Sequence, residues 1–164
     1  MQYAQGARLG EIAPSFRAIS FMLSPDGEDL VATSAVNFYS PDLTQAEVEA
    51  YYAGLDKVEG NQPEYGLNTR LVKKDGKVVA ETMMVGGLYT EAIEKIVMWL
   101  EKALPLAENA QQKKTFESLI TYYKTGKVAD WDQYNLNWIK DVDSRTDVVN
   151  GFIEVYNDPL GKKG

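Results

Sequence analysis

The spacing of apolar residues along the chain switches repeatedly between extended and helical periods. Leu30 to Tyr39 reads as a strand, broken by Ser40-Pro41-Asp42. Thr44-Gln45-Ala46-Glu47 then has the form of a capping box, and Val48, Tyr51, Tyr52 and Leu55 follow at helical spacing. Tyr65 to Val72 and Val78 to Val85 flank Lys73-Lys74-Asp75-Gly76-Lys77. An Asp-Gly pair between two β-prone runs predicts a hairpin, because the tight turn needs positive φ. Gly86-Gly87 is expected to close the second strand.

Helical patterns follow. Ile93, Ile96, Val97, Leu100 and Leu104 form one apolar stripe, with Glu91, Lys95, Glu101 and Lys102 turned away, and Pro105 is expected to end or kink it. Phe116, Leu119, Ile120 and Tyr123 mark a second helix that stops at Gly126. Trp131, Tyr134, Leu136, Trp138 and Ile139 mark a third. Asn150 to Asn157 is strand-like and runs into an Asp158-Pro159-Leu160-Gly161 turn. The residues before Pro25 follow no clean period, and Ser24-Pro25-Asp26-Gly27 is a turn signal. The predicted class is α+β: a mixed β core with a hairpin plus a run of three to four helices, in a single domain over residues 1–164.

Composition narrows the chemistry. The chain has neither histidine nor cysteine. Ser-His-Asp and Cys-His nucleophile systems, disulfides and zinc sites built on His or Cys are therefore outside its own repertoire. A net charge of -7 argues against nucleic acid or an anionic membrane as partner. No apolar run approaches the roughly 20 residues of a spanning helix. Met1-Gln2-Tyr3-Ala4-Gln5-Gly6 lacks the basic-then-apolar form of a secretory signal, which leads to an expected cytoplasmic location. An end at Lys162-Lys163-Gly164, just past a strand and turn, leads to the expectation that more chain follows.

Alternation of side chains along Gly151-Phe152-Ile153-Glu154-Val155-Tyr156 puts Ile153 and Val155 on one strand face and Phe152, Glu154 and Tyr156 on the other. A carboxylate and a phenol on one face suit a cleft in which Glu154 holds a cation and Tyr156 donates to a carbonyl or oxyanion. The same pattern also fits a solvated strand face. Asp141, Asp143 and Asp147 are read as helix-end caps and local ion pairs, because a calcium loop would want a glycine and no Arg145 among its ligands. The aromatics around Trp131 and Trp138 suit either a ligand platform or packing, with packing the commoner use. Lys73, Lys74 and Lys77 are read as solubilising the hairpin tip, and Gly86-Gly87 before a helix as a weak anion-cradle signal.

The run Gly151-Phe152-Ile153-Glu154-Val155-Tyr156-Asn157-Asp158-Pro159 closely resembles a segment of the dipeptidyl-peptidase III family of zinc metallopeptidases, in its bacterial-type wording. Tyr65-Gly66-Leu67-Asn68-Thr69-Arg70-Leu71, Gly87-Leu88-Tyr89 with the helix after it, Tyr122 to Gly126, and Trp138-Ile139-Lys140-Asp141 fall in the family's order. The resemblance is clearest over residues 65–164 and extends more weakly to Asn37-Phe38-Tyr39.

It implies a two-lobed enzyme that releases dipeptides from peptide N-termini. Its zinc is held by an HExxGH motif and a downstream glutamate, both beyond the end of this chain. The chain would be part of the lobe facing the zinc lobe, with no cofactor of its own. The resemblance gives Glu154 the substrate's N-terminal ammonium, Tyr156 the scissile carbonyl and its tetrahedral intermediate, and Val155 backbone contacts to the peptide. The implied partners are the peptide substrate and the zinc-bearing lobe, with self-association of an uncovered lobe face as a further expectation. A stand-alone peptide- or protein-binding module without catalysis is the alternative.

Overall fold

Asp29 organises the first of the described residues. The structure, a computed structural model, describes residues 27–34, 37–55, 66–148, 150 and 158–162. Asp29 Oδ1 accepts from the backbone N–H groups of Val31 and Ala32, and so caps the short helix α1, Leu30–Thr33. The strand expected over Leu30 to Tyr39 is corrected here: its first residues form a helical turn. The reason is long-range. The Leu30 N–H is taken by Gln45 Oε1 at 3.1 Å, and the Gln45 N–H returns to the Asp29 carboxylate at 2.9 Å. These bonds reward a helical turn that the β-branched local pattern does not favour.

Helix α2, Gln45–Ala53, starts with the predicted capping box: Thr44 accepts from the Glu47 N–H, and the Glu47 carboxylate accepts from the Thr44 N–H. The hairpin is present as β1, Thr69–Lys74, and β2, Lys77–Thr82. Its turn has Asp75 at φ 50° and Gly76 at φ 73°, the left-handed pair that Asp-Gly supplies at low strain. Both strands are shorter than the apolar runs suggested. Gly66 at φ 81° opens a turn before β1. Beyond Thr82 the chain leaves the ladder, and the Val85 N–H donates to the Tyr123 carbonyl at 2.9 Å instead. A parallel bridge between Tyr39 and Leu71 makes the local β structure mixed.

Helix α3, Thr90–Ala103, presents the predicted stripe, with Ile93 and Val97 buried. Pro105 ends it in a single 3-10 turn, Leu104–Leu106. Helix α4, Ala110–Thr125, is capped by Asn109 and stops at Gly126, whose φ of 66° lets its N–H reach the Tyr122 carbonyl. Helix α5, Val128–Trp138, completes the predicted run. The architecture is α+β.

Two compact units divide the chain: residues 1–80 with 154–164, and residues 81–153. In the first, Val31, Tyr39, Leu43, Val48, Tyr52 and Leu71 form the core. Lys73, read from sequence as a solubilising tip residue, instead bridges to Glu47 at 2.8 Å and donates to the Asp42 carbonyl at 2.9 Å. In the second unit the core is Ile93, Val97, Leu119, Ile120, Tyr122, Tyr123 and Tyr134, with Trp131 and Trp138 packed against it. Leu136 and Ile139 lie outside that core, 49% and 60% exposed, so only the aromatic members of the third stripe face inward.

Candidate functional site

Glu154, Val155 and Tyr156, the residues singled out from sequence, lie outside the described residues, as does the strand expected around them. The residues that flank this stretch are described, and both sides are held by specific bonds.

On the leading side, helices α4 and α5 staple the loop that follows Trp138. Glu108 accepts from the backbone N–H groups of Arg145 at 3.1 Å and Thr146 at 2.9 Å, and from the Arg145 side chain at 3.2 Å. Gln112 Nε2 donates to the Thr146 carbonyl at 2.7 Å. Asn109 Nδ2 donates to Ser144 Oγ, which donates to Asp141 Oδ1 at 2.6 Å. The Trp138 indole N–H donates to Asp147 Oδ1 at 2.8 Å. Asp141 and Asp147 are thus engaged in local hydrogen bonds. At the end of this loop the Tyr123 hydroxyl donates to Asn150 Oδ1 at 2.7 Å. Burial pushes the Tyr123 hydroxyl up to about 12, so it remains a protonated donor at neutral pH.

The backbone N–H donors on Glu108 hold its carboxyl well below the usual range, at about 2. A depressed carboxyl pKa stabilises the fold above its unfolded value, near 4.5, and that contribution disappears as pH falls towards about 2. The expected result is that wild type is more stable than Glu108→Gln at neutral pH. The two should converge as pH falls through this window, as read by urea unfolding at each pH. A gap that persists at the acid end would assign the effect to something other than the carboxylate.

A recess of about 120 Å³ opens beside this loop, lined by Trp131, Tyr134, Asn135, Trp138 and Asn150. Trp131 and Tyr134 stack in a tilted arrangement with centroids 5.1 Å apart. Trp131, Tyr134 and Trp138 thus pack the core, the commoner of the two uses considered from sequence, and also wall this recess. Asn150 carries no signal in the sequence, because a lone asparagine forms no motif. Its Oδ1 is held by Tyr123, while its buried Nδ2 has no hydrogen-bond partner among the described residues. The recess is chemically an apolar slot with an amide donor at its edge.

On the trailing side, Asp158 is the anchor. Its Oδ1 accepts from the Tyr39 hydroxyl at 2.6 Å and from the Leu160 N–H at 3.3 Å, and its Oδ2 accepts from the Lys162 N–H at 2.6 Å. The Gly161 N–H closes the predicted turn onto the Asp158 carbonyl at 3.1 Å. Burial, then the bond to Asp158, pushes the Tyr39 hydroxyl far above the usual tyrosine range.

At Gly86-Gly87, the Gly86 N–H donates to Thr90 Oγ1 at 2.8 Å and the Gly87 N–H to the Met84 carbonyl at 2.9 Å. Those donors are occupied within the turn, so the anion-cradle signal finds no support. The zinc implied by the sequence resemblance does not fit the residues present. The chain has no histidine or cysteine, and among the described residues no group of three or more His, Cys, Asp or Glu side chains is arranged to hold a metal. Among the described residues, no helix is long and apolar enough to cross a membrane.

Comparison with known proteins places these elements. The chain is 28% identical to dipeptidyl peptidase 3 of Dictyostelium discoideum over 145 residues, covering 77% of this chain and 21% of that protein. It is 32% identical to the Homo sapiens dipeptidyl peptidase 3 over 144 residues, 87% of this chain and 20% of that protein. The Rattus norvegicus protein of the same name is 25% identical over 139 residues, 74% of this chain and 19% of its own length. The chain thus spans about a fifth of the length of these relatives. The model of the family described as Peptidase family M49 matches residues 30–164, which takes in the stapled loop and the Asp158 anchor, and the chain belongs to that family.

Proposed function

We propose that this chain is part of a dipeptide-releasing metallopeptidase and supplies one side of its peptide-binding cleft, with the zinc held elsewhere in the enzyme. The observation that carries this is the family match over residues 30–164, which includes the stretch Gly151–Pro159. Within it, Glu154 binds the free ammonium of the substrate's first residue, and its fixed negative charge favours peptides with an unblocked N-terminus. Tyr156 donates to the scissile carbonyl as it acquires negative charge. Val155 lies between them and offers backbone N–H and C=O groups to the extended peptide. Zinc would supply Lewis-acid chemistry at the same carbonyl from outside this chain.

An isolated piece would be cytoplasmic and would bury its uncovered face by self-association.

The purified chain alone, with added zinc, is expected to release no naphthylamine from a dipeptidyl-2-naphthylamide. Metal-dependent release that copurifies with the chain would overturn the placement of zinc outside it. Substitution of Tyr156 in the longer enzyme separates the cleft reading from a non-catalytic binding module.

A further inference from the structure

Helix α3 is apolar on two sides. Its inner stripe packs Ile93 and Val97 into the core of the second unit. On the opposite side, Lys95, Trp99, Lys102 and Leu106 follow at steps of four, three and four residues, the period of one helical face. Met98 lies beside Trp99 on that side. Trp99 is 64% exposed, Leu106 80% and Met98 39%. A surface helix needs one apolar stripe, whereas a helix with apolar groups on both sides suits a place between two layers. Single exposed apolar side chains are ordinary, but a tryptophan grouped with two more on one face marks an interaction surface.

The face is also pre-set. Lys102 Nζ stands over the Trp99 ring at 4.5 Å from its centroid, which restrains the indole while most of it stays open. A restrained aromatic loses little freedom on docking.

Charge states what kind of partner fits. Glu101, on the flank of α3, is drawn to α4 by Lys124 at 2.6 Å. Glu91, one turn before Lys95, does not bridge to it, and neither Lys95 nor Lys102 forms an ion pair among the described residues. Two cations thus stand about 10 Å apart along the helix, with Trp99 between them. This is a basic strip on a chain of net charge -7.

We propose that this face of α3 docks another segment of the longer polypeptide, an apolar stretch carrying carboxylates that meet Lys95 and Lys102 on either side of Trp99. The chain spans about a fifth of the length of its relatives, so most of such a polypeptide lies outside it. A covalently joined segment has a high effective concentration that a second copy lacks. The proposal rests on the reading of the chain as one part of a longer enzyme, and the role of Tyr156 does not enter it.

The test compares the longer enzyme with the dilute chain, using N-ethylmaleimide as probe and peptide mass to assign each labelled site. Met98→Cys and Leu106→Cys report on the face, and Glu117→Cys, exposed on α4, is the reference. Both reporters should react at least about tenfold more slowly in the longer enzyme than in the dilute chain, with the reference within about threefold. The protection should not depend on protein concentration. Lys95→Glu with Lys102→Glu in the longer enzyme should raise the slow rates at least about fivefold, because like charges then face each other.

Reporters that react as fast in the longer enzyme as in the dilute chain overturn the docking face. Protection that grows with protein concentration makes the occupant a second copy and overturns it too. Slow rates that survive the double charge reversal overturn the acidic chemistry of the occupant, and the proposal with it. Release of naphthylamine from a dipeptidyl-2-naphthylamide is measured on the unlabelled samples. Release with unprotected reporters sinks this inference alone. Absence of release sinks the peptidase reading, and the labelling rates then decide the docking face by themselves.

Discussion

Tyr156→Phe in the longer enzyme is expected to lower kcat by about 10²–10³-fold, equivalent to about 2.7–4 kcal/mol of transition-state stabilisation. The substitution removes one oxygen and keeps the ring. On the proposed role, what is lost is a hydrogen-bond donor to an oxygen whose charge grows along the reaction. A neutral carbonyl gains little from that donor and a tetrahedral oxyanion gains much, so the loss should fall on kcat and leave KM close to wild type. Steady-state kinetics on a dipeptidyl-2-naphthylamide, with zinc content and melting temperature measured on the same samples, check the result. Near-normal turnover at full zinc occupancy would remove Tyr156 from the mechanism.

Leu119→Ala is expected to destabilise the second unit by about 2–5 kcal/mol. Leu119 is 2% exposed and packs among Ile93, Val97, Tyr122, Tyr123 and Tyr134. Truncation removes the transfer free energy of its buried carbons and leaves a cavity among side chains anchored on three helices. Several of those neighbours are tyrosines bound elsewhere: Tyr123 holds Asn150, and Tyr134 donates to the Val148 carbonyl at 3.4 Å. They cannot swing in to refill the space without breaking those bonds, which places the expected loss in the upper part of the range. Domains of this kind have total stabilities of about 5–15 kcal/mol, so the change is a large fraction of the whole. Urea unfolding monitored by tryptophan fluorescence, which reports on Trp131 and Trp138 beside the site, measures it. A loss below about 1 kcal/mol would show that the core relaxes around the truncated side chain.

The two substitutions differ in how they were legible. Leu119 stood out from periodicity alone, as one member of a stripe whose helix ends at a glycine. Tyr156 stood out through strand alternation and a family likeness, and its roles remain proposals built on both. Tyr39 and Asn150 had no local signature: their importance lies in partners at 2.6 and 2.7 Å that are distant in sequence. The same is true of Lys73, whose run of neighbouring lysines suggested solvent and whose actual partner is the Glu47 carboxylate.

By itself, the sequence determined those features whose causes are local. The capping box at Thr44, the Asp75-Gly76 turn, the helix stops at Pro105 and Gly126, and the inward stripe of α3 each follow from one residue's φ range, a nearby donor or a 3.6-residue period. It also determined that no histidine or cysteine chemistry can arise within the chain. Only the tertiary structure decided that Leu30–Thr33 turns as a helix, that β2 stops at Thr82, and that Tyr39 grips Asp158. In each of those cases a hydrogen-bond partner from a distant part of the chain outweighs a local preference of a few tenths of a kcal/mol. Such a partner exists only once the chain has folded.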